Sequence, residues 1–210
     1  MVQSVSVPPL EREHECYTVD WDKRFPSSLH IDVEELTSEM IITNFGKPDV
    51  IWAAPDCSSY SIAAISHHRK KDLETGFLYP VSDYAKKCDR VNRHVLDLIK
   101  ELDPKFYFIE NPRAGMRKMS WMQELPRYSI CYCKYETDKP PFMRRMKPTD
   151  IWTNHPDPKF APMCKNGNKD HASAPRGSKT GTQGLKGSVE RSTYPKLLCE
   201  HIVDICEEYL

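Results

Sequence analysis

The sequence has no long apolar run, since its longest clean apolar stretch, Val50 to Ala54, falls far short of the ~20 residues that cross a bilayer. It has no net charge, because 30 basic side chains balance 30 acidic ones, which excludes a uniformly basic surface. With 8 Cys in 210 residues it is too poor in cysteine for a disulfide scaffold, which predicts reduced thiols. The first fifteen residues have no secretory pattern. We therefore expect one compact cytoplasmic domain with no membrane partner.

What is present is a pattern of buried strands around one long helix. Apolar residues recur at spacings of three and four from Tyr84 to Leu102, which predicts a helix that Ser82 would cap. Segments rich in β-branched and aromatic residues indicate buried strands at 16–20, 49–54 and 105–109. The last two strands and the helix between them predict a βαβ unit, and hence a parallel sheet with binding groups at the carboxyl ends of its strands.

The rest of the chain is less regular. Further strands are predicted at 128–135 and 151–153, and a C-terminal helix within 195–210 carries one apolar face: Leu198, Ile202, Ile205, Cys206 and Tyr209. Between them, 154–191 holds five of the eight Gly and several Pro, which is typical of irregular structure. We therefore divide the chain into a poorly ordered N-terminus (1–15), a catalytic core (16–153), an irregular insertion (154–191) and a C-terminal helix (192–210) that packs back on the core.

Two residues at predicted strand ends carry candidate chemistry. Cys57 follows the first strand of the βαβ unit on a turn, and Glu110 ends the next strand. A small residue filling a turn and a carboxylate capping a helix are the ordinary interpretations. A thiol and an acid that end neighbouring parallel strands, however, meet at one edge of the sheet. This pairing favours an active site.

Several motifs, in order, resemble those of DNA cytosine-5 methyltransferases, in particular short phage-type members. They are Pro55-Asp56-Cys57, Glu110-Asn111-Pro112, 145–154 (RMKPTDIWTN), 163–167 (MCKNG), 174–191 (APRGSKTGTQGLKGSVER) and 194–198 (YPKLL). The likeness covers residues 16 to 210. It implies a Rossmann-like, mostly parallel α/β sheet of the type found in S-adenosylmethionine-dependent methyltransferases.

The resemblance also implies a mechanism. Cys57 would attack C6 of a cytosine flipped out of a DNA duplex, while Glu110 protonates the ring at N3. Position C5, a poor nucleophile until the adduct breaks aromaticity, would then accept a methyl group from S-adenosylmethionine. Arg145 corresponds to a basic catalytic residue near the flipped base, although a solvated charge cluster is its ordinary interpretation.

For the cofactor, the resemblance assigns Asp20 to the ribose hydroxyls, Trp21 to the adenine ring and Asp32 to the adenine amino group, with Pro55 beside them. Each carboxylate alone also fits a turn or a helix cap. The Gly-rich loop with which the family opens has no counterpart here, because the first glycine is Gly46. We therefore interpret the chain as an N-terminally truncated member, and a catalytically inactive relative that binds nucleic acid is the alternative function.

A local basic region favours nucleic acid as partner. The insertion 154–191 holds seven basic and three acidic residues, a net charge of +4, and a second basic run spans 67–71. We expect phosphate contacts from Arg69, Lys70, Lys165, Arg176, Lys179 and Lys186. A solvated surface is the ordinary interpretation of such runs.

Two further functional hypotheses have weaker support. A cysteine hydrolase would pair Cys57 with His67 or His68, which lie too near in sequence to be the usual distant base. Cys131, Cys133, Cys164 and His171 are the right ligand types for zinc, but their spacing is not a recognised one. Reduced core thiols are the default interpretation, so no metal is predicted.

Overall fold

A computed structural model describes residues 14–165, 167–171 and 193–210, which form a mixed α/β protein. Among these residues the chain divides into two compact units. The first comprises Glu15–Arg127 and Asp150–His155, and the second comprises His14, Tyr128–Thr149 and the described part of Pro156–Leu210. Nearly all of the predicted disordered N-terminus, and most of the predicted basic insertion, lie outside the described residues.

The first unit contains the predicted helix and most of the strands. Its helices are α1 (Ser38–Phe45), α2 (Ile65–His68) and α3 (Asp83–Leu102). Its strands are β1 (Val50–Ala53), β2 (Arg69–Lys71), β3 (Leu78–Pro80) and β4 (Phe106–Pro112). Strands β2 and β3 pair as a separate antiparallel hairpin. Short 3₁₀ turns connect several of these elements.

The predicted βαβ unit is present. Strand β1 pairs in parallel with β4, with Val50 opposite Phe106 and Ala53 opposite Ile109. Helix α3 begins as expected, since the Ser82 side chain accepts a hydrogen bond from the backbone N–H of Ala85. The buried apolar face of this helix follows the predicted spacing from Cys88 onward and also includes Ile99, whereas Tyr84, the first residue of the predicted series, is exposed. The buried residues are Cys88, Val91, Val95, Leu98, Ile99 and Leu102. The local pattern therefore determines both the helix and its buried face.

The larger sheet has the strand order β1-β4-β6-β5, where β5 is Arg127–Cys131 and β6 is Pro148–Thr153. Thr153 donates its backbone N–H to Pro126, and Tyr132 donates to Lys147, so the last two strands run antiparallel. The sheet thus combines a parallel pair with an antiparallel pair. The prediction of an α/β fold is confirmed at this level.

The predicted bounds of two strands are wrong. The segment Cys16–Asp20 contributes only an isolated parallel bridge between Val19 and Leu29, flanked by two backbone hydrogen bonds. The strand expected at 128–135 ends at Cys131, where the chain turns into a 3₁₀ helix, Tyr132–Tyr135. A run of β-branched and aromatic residues predicts burial more reliably than it predicts pairing, because pairing depends on a neighbouring strand.

The second unit contains the C-terminal helix α4 (Lys196–Glu207), which packs against the 3₁₀ helix Tyr132–Tyr135. The rings of Tyr135 and His201 lie 5.6 Å apart at this contact. The predicted apolar face is buried, except that Tyr209 lies exposed beyond the end of the helix. None of the described helices combines the length and the apolar character that a membrane span requires.

Candidate active site

The structure brings Cys57 and Glu110 to the same edge of the sheet. Glu110 comes one residue after the last paired position of β4, and Cys57 follows the end of β1, which lies beside it. The Asn111 side chain donates to the backbone oxygen of Pro55 at 3.2 Å, which ties the two strand ends together. Cys57 is partly exposed, whereas Glu110 is only 4% exposed. We call residues 55–57 and 110–112 the strand-end edge.

Backbone hydrogen bonds hold the loop that carries Cys57. Tyr60 donates its N–H to the Cys57 carbonyl at 3.1 Å, and the Asn92 amide donates to the Asp56 carbonyl at 3.4 Å. The Asp56 carboxylate accepts the backbone N–H of Ser58 at 2.7 Å. Because these bonds flank Cys57 on both sides, they restrict the direction in which its side chain leaves the backbone.

Hydrogen bonds also surround the side chain of Asp56. Its second carboxylate oxygen accepts the Tyr84 hydroxyl at 2.7 Å and lies 3.5 Å from the Cys88 sulfur. Burial opposes ionisation, the hydrogen bonds from Ser58 and Tyr84 favour it, and the pKa of Asp56 lies below its ordinary value. Asp56 therefore supports the loop and is not a proton donor at neutral pH.

Arg69 belongs to a buried network and does not face solvent. It is 3% exposed, its guanidinium pairs with Asp89 at 2.7 Å, and it lies 3.8 Å from the ring centroid of Tyr60. The Tyr60 hydroxyl donates to Asp89 at 2.6 Å and accepts from Asn92 at 3.0 Å. The prediction that Arg69 contacts phosphate is therefore corrected. Through Tyr60 and Asn92, Arg69 supports the loop of Cys57.

The motifs did not reveal Asp89 and Asn92, although a signal exists. Asp89 and Asn92 lie four and seven residues after Ala85 on α3, and all three are buried. Polar residues at core spacing on a helix indicate a buried hydrogen-bond network when a charged partner is available. The partner, Arg69, was instead grouped with its exposed neighbours in the run 67–71.

The predicted cofactor residues Asp20 and Asp32 lie near one another in the first unit. Backbone pairing of 18–20 with Leu29 brings their segments together, and His30 Nδ1 lies 3.3 Å from the Asp20 carbonyl. Asp20 is 1% exposed and accepts the N–H of Asp22, whereas Asp32 is partly exposed and caps a 3₁₀ turn by accepting from Glu34.

Two of the residues that the resemblance assigns to the adenosine half of S-adenosylmethionine are accessible to a ligand. Trp21 is 47% exposed and offers an aromatic surface beside Asp20, and Asp32 offers a carboxylate. Pro55 lies buried on the strand-end edge. The described residues before β1 include a single glycine, Gly46, so they contain no Gly-rich loop that could contact the methionine part of the cofactor.

The remaining predicted residues fall into three groups. Lys70 and Lys165 are exposed, Lys70 in the first unit and Lys165 in the second. Arg145 is buried in the second unit, where its guanidinium pairs with Glu136 at 2.6 Å and donates to the Thr193 carbonyl at 2.8 Å. These contacts give Arg145 a structural role, and its contact with the base stays a prediction. Three residues lie outside the described part of the chain: Arg176, Lys179 and Lys186.

Comparison with known proteins gives one whole-length likeness. No protein-family model matches the chain. The chain is similar to the "Probable DNA (cytosine-5)-methyltransferase" of Frog virus 3 (isolate Goorha), with 27% identity over 222 aligned residues. The alignment covers 96% of this chain and 95% of the relative. The resemblance drawn from the motifs is thereby confirmed, and the phage origin stays a prediction.

Proposed function

We propose, from the premise that the chain resembles a DNA (cytosine-5)-methyltransferase over nearly its whole length, that it transfers a methyl group to C5 of cytosine in DNA. The observation that carries the proposal is the strand-end edge. There a partly exposed thiol and a buried carboxyl group leave neighbouring parallel strands whose ends are tied by Asn111. The core is proposed to be Rossmann-like.

Each residue type answers one requirement of the chemistry. The Cys57 thiolate forms a bond to C6 of the ring, and the displaced electron pair makes C5 nucleophilic. Glu110 supplies a proton to N3, so the ring carries no extra negative charge while the adduct exists. After C5 has gained the methyl group, water accepts the C5 proton, and the electron pair of that C–H bond re-forms the C5–C6 double bond as the bond between sulfur and C6 breaks. The thiolate is restored, and N3 returns its proton to Glu110.

The cofactor and the DNA engage other residues of the chain. When bound, S-adenosylmethionine supplies an electrophilic methyl group. Trp21 would pack against its adenine, and Asp20 and Asp32 would accept hydrogen bonds from its ribose and amino groups. Lys70 and Lys165 contact DNA phosphates, and the cytosine leaves the duplex at a cost of a few kcal/mol. The basic insertion 154–191 is proposed as a nucleic-acid-contacting segment.

The test measures incorporation of tritium from labelled S-adenosylmethionine into DNA of mixed sequence. Cys57→Ser is expected to lower the rate by roughly 10³-fold or more, because the nucleophile is lost. Cys16→Ser is the matched control, since Cys16 is an exposed thiol of the same unit. DNA containing 5-fluorocytosine should form a covalent complex with the wild-type protein and none with Cys57→Ser.

Either of two results would contradict the proposal: equal incorporation by wild type and Cys57→Ser, or no incorporation by the wild type. The single glycine among the described residues before β1 favours the second candidate, a catalytically inactive relative that binds nucleic acid. Calorimetric titration separates the candidates. The inactive relative would bind DNA with a strong salt dependence and give no heat with the cofactor.

A further inference from the structure

The second unit contains a buried group of side chains of metal-ligand type, to which the proposed methyl transfer assigns no role. Cys131, at the end of β5, and Cys133, in the following 3₁₀ helix, come from one segment. Cys164 and His171 come from another, more than thirty residues further along the chain. All four are buried. We call these four residues the sulfur cluster.

Three donor atoms of the sulfur cluster lie close to one another, and the fourth, the Cys131 sulfur, lies beside one of them. The candidate ligand atoms of Cys133, Cys164 and His171 are all within 4.8 Å of one another. His171 Nδ1 is 3.5 Å from the Cys164 sulfur, and the Cys131 sulfur is 3.5 Å from the Cys133 sulfur. In a tetrahedral zinc site, bonds of about 2.3 Å to sulfur and about 2.0–2.1 Å to nitrogen separate the donors by roughly 3.5–3.8 Å.

The environment of His171 gives a second observation. The side chain is 5% exposed, and its Nε2 has no hydrogen-bond partner among the described residues. A buried polar atom without a partner costs free energy, so a buried histidine needs a compensating interaction. A metal bond at Nδ1, the ring nitrogen beside the Cys164 sulfur, would supply a strong interaction to this buried ring.

Two structural features position the segment 164–171 relative to the segment 131–133. The chain turns between Lys165 and Asn168, where Asn168 donates its N–H to the Lys165 carbonyl and Gly167 has a φ of +85°. Lys134, next to Cys133, then pairs with Asp170 at 2.6 Å, next to His171. Both features orient His171 toward the cysteines without a metal.

Apolar atoms surround the sulfurs of the cluster. Two methionines, Met146 and Met163, pack against Cys131, Cys133 and Cys164. Such surroundings exclude water, as in structural zinc sites.

We propose that the sulfur cluster binds one structural zinc ion through Cys133, Cys164 and His171, with Cys131 as the fourth ligand. Binding would release the thiol protons of the three cysteines to solvent and leave a closed tetrahedral site. The ion would join the segment that ends β5 to the segment 164–171. The proposal does not depend on the proposed methyl transfer.

The test is the metal content of the full chain, purified without an affinity tag that binds metal. We expect about one zinc ion per chain by mass spectrometry of the metal. Replacement by Co²⁺ should give the strong visible bands of a tetrahedral thiolate site. Cys133→Ser and His171→Ala are expected to lose at least nine-tenths of the metal, and His171→Cys is expected to keep it.

Cys199→Ser and Cys206→Ser are the matched controls, since both thiols are buried on α4 of the same unit, outside the cluster. They should retain the zinc. Wild-type protein with less than a tenth of an equivalent of zinc and no tetrahedral cobalt spectrum would overturn the proposal, even if the variants fail to fold. Equal zinc in the wild type and all cluster variants, or a native Cys131–Cys133 disulfide, would also overturn it.

Discussion

Cysteine side chains lie in opposite environments in the strand-end edge of the first unit and in the sulfur cluster of the second unit. Cys57 is partly exposed and its loop is held by oxygen and nitrogen groups of the backbone and of polar side chains. Cys131, Cys133 and Cys164 are buried together under methionines. A thiol that attacks a base needs an open approach, whereas thiols that hold a structural metal need closure.

The comparison teaches that the surroundings of a cysteine, and not the cysteine itself, indicate its chemistry. Each region also pairs sulfur with a second group, Glu110 in one case and His171 in the other. A carboxyl group near a thiol suits proton transfer to a substrate, and an imidazole near several thiols suits a metal. Separate substitutions in the two regions should therefore affect separate properties.

The largest effect is expected at the strand-end edge. Glu110→Gln removes the proton donor but keeps the size of the side chain, so we expect methyl transfer to fall by roughly 10²–10⁴-fold. The zinc content should stay at the wild-type level. Initial rates with labelled cofactor and metal analysis of the same preparation measure both. A rate within twofold of the wild type would remove Glu110 from the mechanism, and a loss of zinc would show that the two regions are not independent.

The next effect concerns stability of the first unit. Arg69→Met leaves Asp89 buried without its guanidinium partner, so the free energy of unfolding should fall by about 3–5 kcal/mol. Lys70→Met is the matched control, because the neighbouring Lys70 is exposed, and it should change stability by about 0.5 kcal/mol or less. Urea unfolding followed by circular dichroism measures the difference.

The same pair of variants sharpens the prediction about phosphate contacts. Lys70→Met should lower the salt dependence of DNA binding by about one counterion, since an exposed lysine that contacts a phosphate displaces one. Among folded variants, Arg69 substitutions should leave that salt dependence unchanged. A reduced salt slope for Arg69→Met and not for Lys70→Met would restore the original interpretation of the basic run.

A smaller effect, on thiol reactivity, compares the two regions directly. In native protein, iodoacetamide should modify Cys57 and the exposed Cys16 at least about tenfold faster than the sulfur cluster, because burial excludes the reagent. Prior treatment with a strong zinc chelator should raise the reactivity of Cys133 and Cys164 and leave that of Cys57 unchanged. Peptide mass spectrometry gives the sites. Equal modification of all cysteines in untreated protein would contradict the contrast.

The sequence predicted the structural features that depend on local sequence patterns. Strand β1, helix α3 with its Ser82 cap and strand β4 follow from hydrophobic periodicity and capping chemistry within about sixty residues. The position of Cys57 and Glu110 at one edge follows from parallel pairing, which that pattern requires. These features depend little on the rest of the chain.

Tertiary structure decided the features that the sequence did not predict. Arg69 looks like its exposed neighbours in a basic run, and only the packing of α3 against the loop of Tyr60 shows that it is buried. The sulfur cluster joins segments whose separation matches no familiar zinc spacing. Helix α1 and the β2–β3 hairpin were not predicted either, because short elements carry weak periodic signals.

The smallest expected effect is a pH dependence that arises from Asp56 in the strand-end edge. The pKa of Asp56 in the folded protein lies below its ordinary value of 3.8, and hydrogen bonds from Ser58 and Tyr84 favour the anion, so the unfolded chain binds more protons in that range. The contribution to stability is therefore complete above pH 3.8 and is lost as the pH falls through the lower, folded value. Asp56→Asn should show a shallower loss of stability between pH 5 and pH 2 than the wild type.

Urea unfolding at a series of acidic pH values measures this slope, and Asp138→Asn, at an exposed carboxylate, is the control. The effect should be modest, because a single carboxyl group contributes and its burial partly offsets the hydrogen bonds from Ser58 and Tyr84. An Asp56→Asn slope equal to that of the wild type would mean that these bonds do not favour the anion.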